Sequence, residues 1–201
     1  MNLSMEDKFQ ESINVKKKII ESDQIDHLKH IGDSAIKSII NGGKLMICGN
    51  GGSAADAQHL VAELLVRLRP TYNREGVPAI ALAQDVSTIT ACGNDYGFEY
   101  IFERVLESLG KPGDTLLGIT TSGNSKNVIN AINLAKKMDI TVCAFLGAGG
   151  GPTLDLCDNS FLVPSDITGR IQEAHITAGH ILMEYIEDEL LNKGYLNLND
   201  Q

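Results

Sequence analysis

No two of the four cysteines form a CxxC unit; Cys48, Cys92, Cys143 and Cys157 are widely spaced. That spacing excludes a zinc knuckle or a redox pair and fits small buried thiols in a reducing compartment. Long apolar runs are missing too, and none approaches the roughly 18 residues a membrane span needs. Basic charge is in deficit: 17 Lys and Arg stand against 26 Asp and Glu, a net −9. A nucleic-acid binder usually carries a basic face, so the balance argues against one. There is no internal repeat and no low-complexity linker. Aromatic residues make up only 5% and hydrophobic residues 43%, ordinary values for an α/β protein. The opening MNLSMEDKFQE is charged where a signal peptide would be apolar, and the expected setting is the cytoplasm.

The length of 201 residues suits a single domain over 1–201. Isoleucines at near-helical spacing predict leading helices over 5–22 and 24–41, with Gly42 and Gly43 as the stop. An α/β core follows over about 44–191. Short apolar runs bounded by turn signals predict buried strands at Lys44–Cys48, Pro78–Leu82, Thr115–Ile119, Ile140–Phe145 and Ser160–Val163. Helices are expected at 54–67, 85–94, 98–109, 127–138 and 169–191, with a loop at Gly147–Gly151. Alternating strands and helices imply right-handed crossovers and a parallel sheet. Five strands fit a flavodoxin-like, doubly wound order 2-1-3-4-5, whose ligands sit beyond the carboxyl ends of the strands.

Four segments carry chemistry. TTSGNS groups the hydroxyls of Thr120, Thr121, Ser122 and Ser125 at the end of the third strand. Gly123 allows close backbone approach, and the next helix offers free N–H groups, so a phosphate can be held there without lysine. The Walker pattern is absent, and an ordinary capped βα turn is the competing reading. In GNGGSAADAQHLVAEL, the turn Asn50–Gly51–Gly52 precedes Ser53, which could add a further hydroxyl. His59 and Glu63 are four apart and share a helix face, fit to ligate a metal or to act as acid and base; an exposed helix pair is the alternative. In RIQEAHITAGH, at 100° per residue, His180 lies about 80° from Gln172 and about 20° from Glu173. Carboxylate is the commoner zinc ligand, which favours Glu173. His175 faces elsewhere, and Arg170 is either a phosphate-facing cation or a solvated side chain. Asn94 and Asp95, in GNDYGFE, are either a turn or further polar groups of the site.

Together CGNGGSAADAQH with Glu63, GNDYGFE, GITTSGNS, VPS and RIQEAH with His180 resemble the sugar isomerase (SIS) family, and within it the phosphoheptose isomerases. The resemblance spans nearly the whole chain. It implies a five-stranded parallel sheet, a homotetramer, bound zinc, and isomerisation of sedoheptulose 7-phosphate to D-glycero-D-manno-heptose 7-phosphate, which opens the route to nucleotide-activated heptose for lipopolysaccharide or related surface glycans. Neither a nucleic-acid nor a membrane partner is implied. By motif the metal ligands are His59, Glu63, Gln172 and His180, so the family favours Gln172 over Glu173. The substrate contacts are Asn50, Gly51, Gly52, Ser53, Asn94, Asp95, Thr120, Thr121, Ser122, Ser125 and Gln172, and the acid/base pair is Glu63 and His180. Two departures stand out. Thr120 replaces a serine found in some members, and Gly169 stands where some members have an acidic residue, whose role then lapses or falls to Asp166.

Overall fold

The computed structural model describes residues 3–198. Its helices are α1 (Met5–Ile20), α2 (Gln24–Ile40), α3 (Gly52–Leu65), α4 (Val86–Asp95), α5 (Ile101–Leu109), α6 (Lys126–Lys137), α7 (Gly151–Leu154) and α8 (Thr168–Asn192), and a 3₁₀ turn at Phe98–Tyr100 leads into α5. The strands β1 (Leu45–Gly49), β2 (Ala79–Ala81), β3 (Thr115–Thr120), β4 (Thr141–Leu146) and β5 (Asn159–Leu162) form one sheet. All pairings are parallel, in the order β2-β1-β3-β4-β5, the doubly wound order expected from the sequence. Among the described residues no helix is long and apolar enough to cross a membrane.

Every residue of β1 and β3 is buried. Unbroken apolar strands therefore need cover on both faces. On one face α1, α2, α3 and α8 enclose Ile31, Leu60, Phe145, Phe161 and Met183. On the other, α4, α5 and α6 enclose Met46, Phe102, Leu106, Leu116 and Ile132. Thus α3 and α8 share one side of the sheet and α4 lies across it. Local signals set the ends of the elements. Ser4 and Asp7 form a reciprocal capping box on α1, and the Asp85 carboxylate accepts from Thr88 N at 2.7 Å at the start of α4. Buried Asp114 accepts from the amides of Lys44 and Lys111 and pairs with Lys44 Nζ at 2.6 Å, pinning the start of β3 beside β1.

The boundaries differ from the sequence reading in two informative places. α3 starts at Gly52 rather than at residue 54, because Gly51, at φ +57°, closes the turn as N-cap. Gly52 and Ser53 therefore belong to the first helical turn. The glycine run after β4 is a loop only as far as Gly150; α7 begins at Gly151, with Pro152 in its first turn, where its fixed φ suits a helix start.

His175 is packed in the core against Phe145, with Nε2 at 3.0 Å from Leu146 O. Burial drives its pKa down to about 4, against the raising effect of that carbonyl. The folded value lies below the unfolded 6.5, so the unfolded chain binds more protons between the two. The stabilisation is complete above pH 6.5 and is lost as the pH falls toward 4, on the order of 2–3 kcal/mol. Urea unfolding at pH 7.5 and at pH 5 should show this loss, and His175→Phe should lose less on acidification.

Candidate active site

Two loops meet beyond the carboxyl ends of the adjacent strands β1 and β3, where the crossovers diverge to opposite faces of the sheet. This is the switch point at which doubly wound sheets bind ligands. The loops are locked together by their amides. Asn50 Nδ2 donates to Asn127 Oδ1 at 2.9 Å, and Asn127 Nδ2 returns a bond to Asn50 Oδ1 at 2.8 Å. The Asn50 side chain thus holds the first loop against α6, and the sequence reading, which made it a substrate contact, missed Asn127.

The second loop turns at Gly123, at φ +65°. A Cβ there would stand 1.8 Å from Gly150 O, so no other residue fits. Thr153 Oγ1 donates to Gly123 O at 2.7 Å, tying the turn to α7. Gly123 N donates to Thr120 Oγ1 at 3.2 Å, and Thr120 and Ser125 hydroxyls lie 3.2 Å apart. Thr120 is buried, Thr121 and Ser125 half-buried, and Ser122 exposed. The N-terminus of α6 follows directly, with Ser125 as an N-cap that makes no side-chain cap bond, while Val128 N in the first turn donates to Asn127 Oδ1 at 3.0 Å. Free amides, a helix dipole and neighbouring hydroxyls make an anion cradle.

Beside these loops α3 and α8 bring three ligand-type side chains together. Gly179 lets the helices approach, since a Cβ there would meet Leu60 Cδ1 at 2.6 Å. His59 Nε2 lies 2.8 Å from His180 Nε2 and 3.2 Å from Glu63 Oε1. The ligand atoms of His59, Glu63 and His180 all fall within 4.8 Å of one another. His59 is exposed, and the Glu63 side chain is 17% exposed. His180 Nδ1 is 3.0 Å from Ile176 O. A proton on Nδ1 is fixed there, which turns Nε2 toward the cluster, the usual outer support of a metal-binding histidine. Asp56, on the same face of α3 as His59 and Glu63, was missed in the sequence although its spacing was readable. Burial raises its pKa, against the opposing charges of His59 and His180.

The remaining expected residues divide. The Gln172 amide lies against Gly52 at the start of α3, where a Cβ would be 2.7 Å from its Nε2. Glu173, which helix angles favoured, is instead held by Arg170 Nη2 at 2.7 Å. Arg170 also donates to Lys8 O, so it anchors α1 to α8. The ideal-angle argument failed because that anchor draws Glu173 toward α1. Ser53 is buried in the first turn of α3. Asn94 and Asp95 are exposed at the end of α4, across the sheet from α3 and α8, with Asn94 Nδ2 bonded to Asp95 Oδ1 at 2.8 Å. They lie outside the His59–Glu63–His180 group.

If the cradle holds phosphate, Ser122→Ala or Ser125→Ala should raise KM for a sugar phosphate about tenfold or more, since a bond to a charged group is worth about 1.5–3 kcal/mol. Initial-rate kinetics check this, and an unchanged KM in both would move the phosphate elsewhere.

Residues 8–147 match the SIS domain. The phosphoheptose isomerase of Clostridium acetobutylicum is 44% identical over 190 residues, covering 94% of this chain and 96% of that protein. Two solved structures are similar throughout. The phosphoheptose isomerase of Neisseria gonorrhoeae aligns with a TM-score of 0.84 at 38% identity, over 90% of this chain and 95% of the other. That of Francisella tularensis aligns with a TM-score of 0.86 at 36% identity, over 92% and 100%.

Proposed function

The chain belongs to the SIS domain family, and from that premise we propose that it interconverts sedoheptulose 7-phosphate and D-glycero-D-manno-heptose 7-phosphate. The observation that carries this reading is the convergence of Glu63, His59 and His180 beside a hydroxyl-lined anion cradle. In this reading the cradle takes the 7-phosphate and the reacting end of the sugar extends toward α3 and α8.

Ketose–aldose isomerisation moves one proton between C1 and C2. Glu63, as base, takes a C1 proton; the C1 electron pair becomes the C1–C2 double bond and the carbonyl pair moves onto O2. His180 gives O2 a proton from Nε2, completing an enediol. In the second half His180 takes the O1 proton and Glu63 returns its proton to C2, leaving the aldehyde at C1. Both groups end as they began. Positioned acid and base groups of this kind contribute roughly 10²–10⁴-fold each.

The donor set fits zinc. Two imidazoles and a carboxylate converge, His180 has its Nδ1 proton fixed by Ile176 O, and such mixed nitrogen and oxygen ligands suit zinc better than magnesium or calcium. His59, Glu63, His180 and the Gln172 amide would hold it. When bound, zinc would supply Lewis-acid polarisation of the sugar's oxygens. His180 Nε2 holds a proton or a metal, one at a time. Metal affinity should fall as the pH is lowered, because the ligands bind metal only when deprotonated. Elemental analysis after gentle purification, with and without chelator, checks this. No co-purified metal, no reactivation by zinc and no effect of chelator would remove zinc from the account.

A homotetramer is part of the proposal. Met5, Phe9 and Ile20 on α1 are large apolar side chains left more than two-thirds exposed in the single chain, as a subunit contact would require. The proposed setting is the cytoplasm, in keeping with four free cysteines, and the proposed role is supply of heptose for lipopolysaccharide or a related surface glycan.

The substrate is tested by comparing turnover of sedoheptulose 7-phosphate with that of fructose 6-phosphate. The seven-carbon sugar should be strongly preferred, and turnover of the hexose alone would overturn the assignment.

A further inference from the structure

α3 ends in an unusual way. Its last amide bond runs from Val66 N to Ala62 O, so the carbonyls of Glu63 and Leu64 need other donors. Leu64 O takes one from Val77 N at 2.9 Å, whereas Glu63 O has none from the backbone among the described residues. Both receive a guanidinium. Arg74 Nη2 donates to Glu63 O at 2.9 Å, and Nη1 donates to Leu64 O at 2.9 Å and to Glu75 O at 2.9 Å. The Arg74 side chain is fully buried, as is that of its carboxylate partner Glu187 on α8, which accepts from Arg74 Nε. The other Glu187 oxygen accepts from Arg69 Nε at 2.6 Å. Glu187 follows His180 by seven residues, two turns along the same stripe of α8.

We infer that the buried Arg74–Glu187 pair is a positioning device that sets Glu63 relative to His180 by clamping the end of α3 to α8. The inference rests on the isomerase reading of Glu63 and His180. Arg74 grips the backbone of the proposed base itself, and Glu187 grips Arg74 from the helix that carries the proposed acid. Neither residue reaches the cluster, so each acts only through geometry. A buried salt bridge is weak evidence for stability, because apolar residues of similar volume often serve the fold as well. Small displacements of reacting groups, by contrast, are costly to rate.

The test removes both charges together, because removing one would strand the other. In Arg74→Met/Glu187→Leu the fold should persist by circular dichroism and thermal melting. kcat on sedoheptulose 7-phosphate should fall on the order of 10- to 100-fold with KM within about threefold. Zinc affinity, read by competition with a chromophoric chelator, should fall about tenfold or more. Arg74→Lys, which keeps the pair with Glu187 but cannot span both carbonyls, should give an intermediate kcat. A folded double variant with wild-type kcat and zinc affinity would overturn the inference, as would losses that merely track the unfolded fraction. Should the double variant not fold, Arg74→Lys decides: reduced kcat at unchanged KM supports the device, and wild-type kcat refutes it. If the wild-type protein itself leaves the substrate unchanged, the isomerase reading fails, and zinc affinity alone judges the clamp.

Discussion

Glu63→Gln should lower kcat by roughly 10²–10⁴-fold while the protein stays folded. Glutamine keeps the shape of the side chain and can still contact His59, which now lies 3.2 Å from the carboxylate, but it cannot accept a proton from carbon. Glu63 is largely covered without being locked in a buried ion pair, so melting should shift by only a few degrees. His180→Ala should be similarly slow, because it removes the group that carries protons to and from the sugar oxygens. Steady-state kinetics and thermal melts of the two variants check both statements. Near-wild-type turnover in either would end the acid/base assignment.

Gly123→Ala should damage both binding and stability. Its φ of +65° is unfavourable for any side chain, and the added Cβ would lie 1.8 Å from the Gly150 carbonyl oxygen. Left-handed backbone costs an L-residue about 1–2 kcal/mol, and forced overpacking typically adds 1–3 kcal/mol. For a domain of this size those sums correspond to a fall in Tm of roughly 5–15 °C. The turn can escape the clash only by moving the Gly150 loop, which breaks the Thr153 bond to Gly123 O and re-aims the hydroxyls of Thr120 and Ser125. KM for the phosphosugar should rise at least tenfold. Differential scanning calorimetry and initial rates measure the two effects, and a variant with native Tm and KM would show that the turn is not the cradle.

What was legible in the sequence is what short-range chemistry determines. The two glycine and hydroxyl loops could be placed at strand ends because apolar runs precede them and helical periodicity follows. His59 and Glu63 could be paired because a helix repeats within four residues. The contact of His59 with His180 was beyond such reasoning and was implied only by the family resemblance, since 121 residues and the packing of α3 on α8 through Gly179 separate the two positions from any local signal. The choice between Gln172 and Glu173 depended on Arg170, whose anchor to α1 at Lys8 O has no trace in helix angles. Arg74 and Glu187 belong to no motif read from the sequence; only the tertiary structure buries and pairs them. Asn50 was recognised as part of a functional loop, yet its amide serves the loop's attachment to Asn127.

The most direct test of the account is isomerisation of sedoheptulose 7-phosphate in D₂O, followed by NMR. An enediol formed between Glu63 and His180 exchanges its carbon-bound proton with solvent through the carboxylic acid. The account predicts that the aldose heptose 7-phosphate appears and that deuterium accumulates at its C2 over repeated turnovers. Absence of the aldose, or aldose that still carries only protium at C2 when equilibrium is reached, would contradict it.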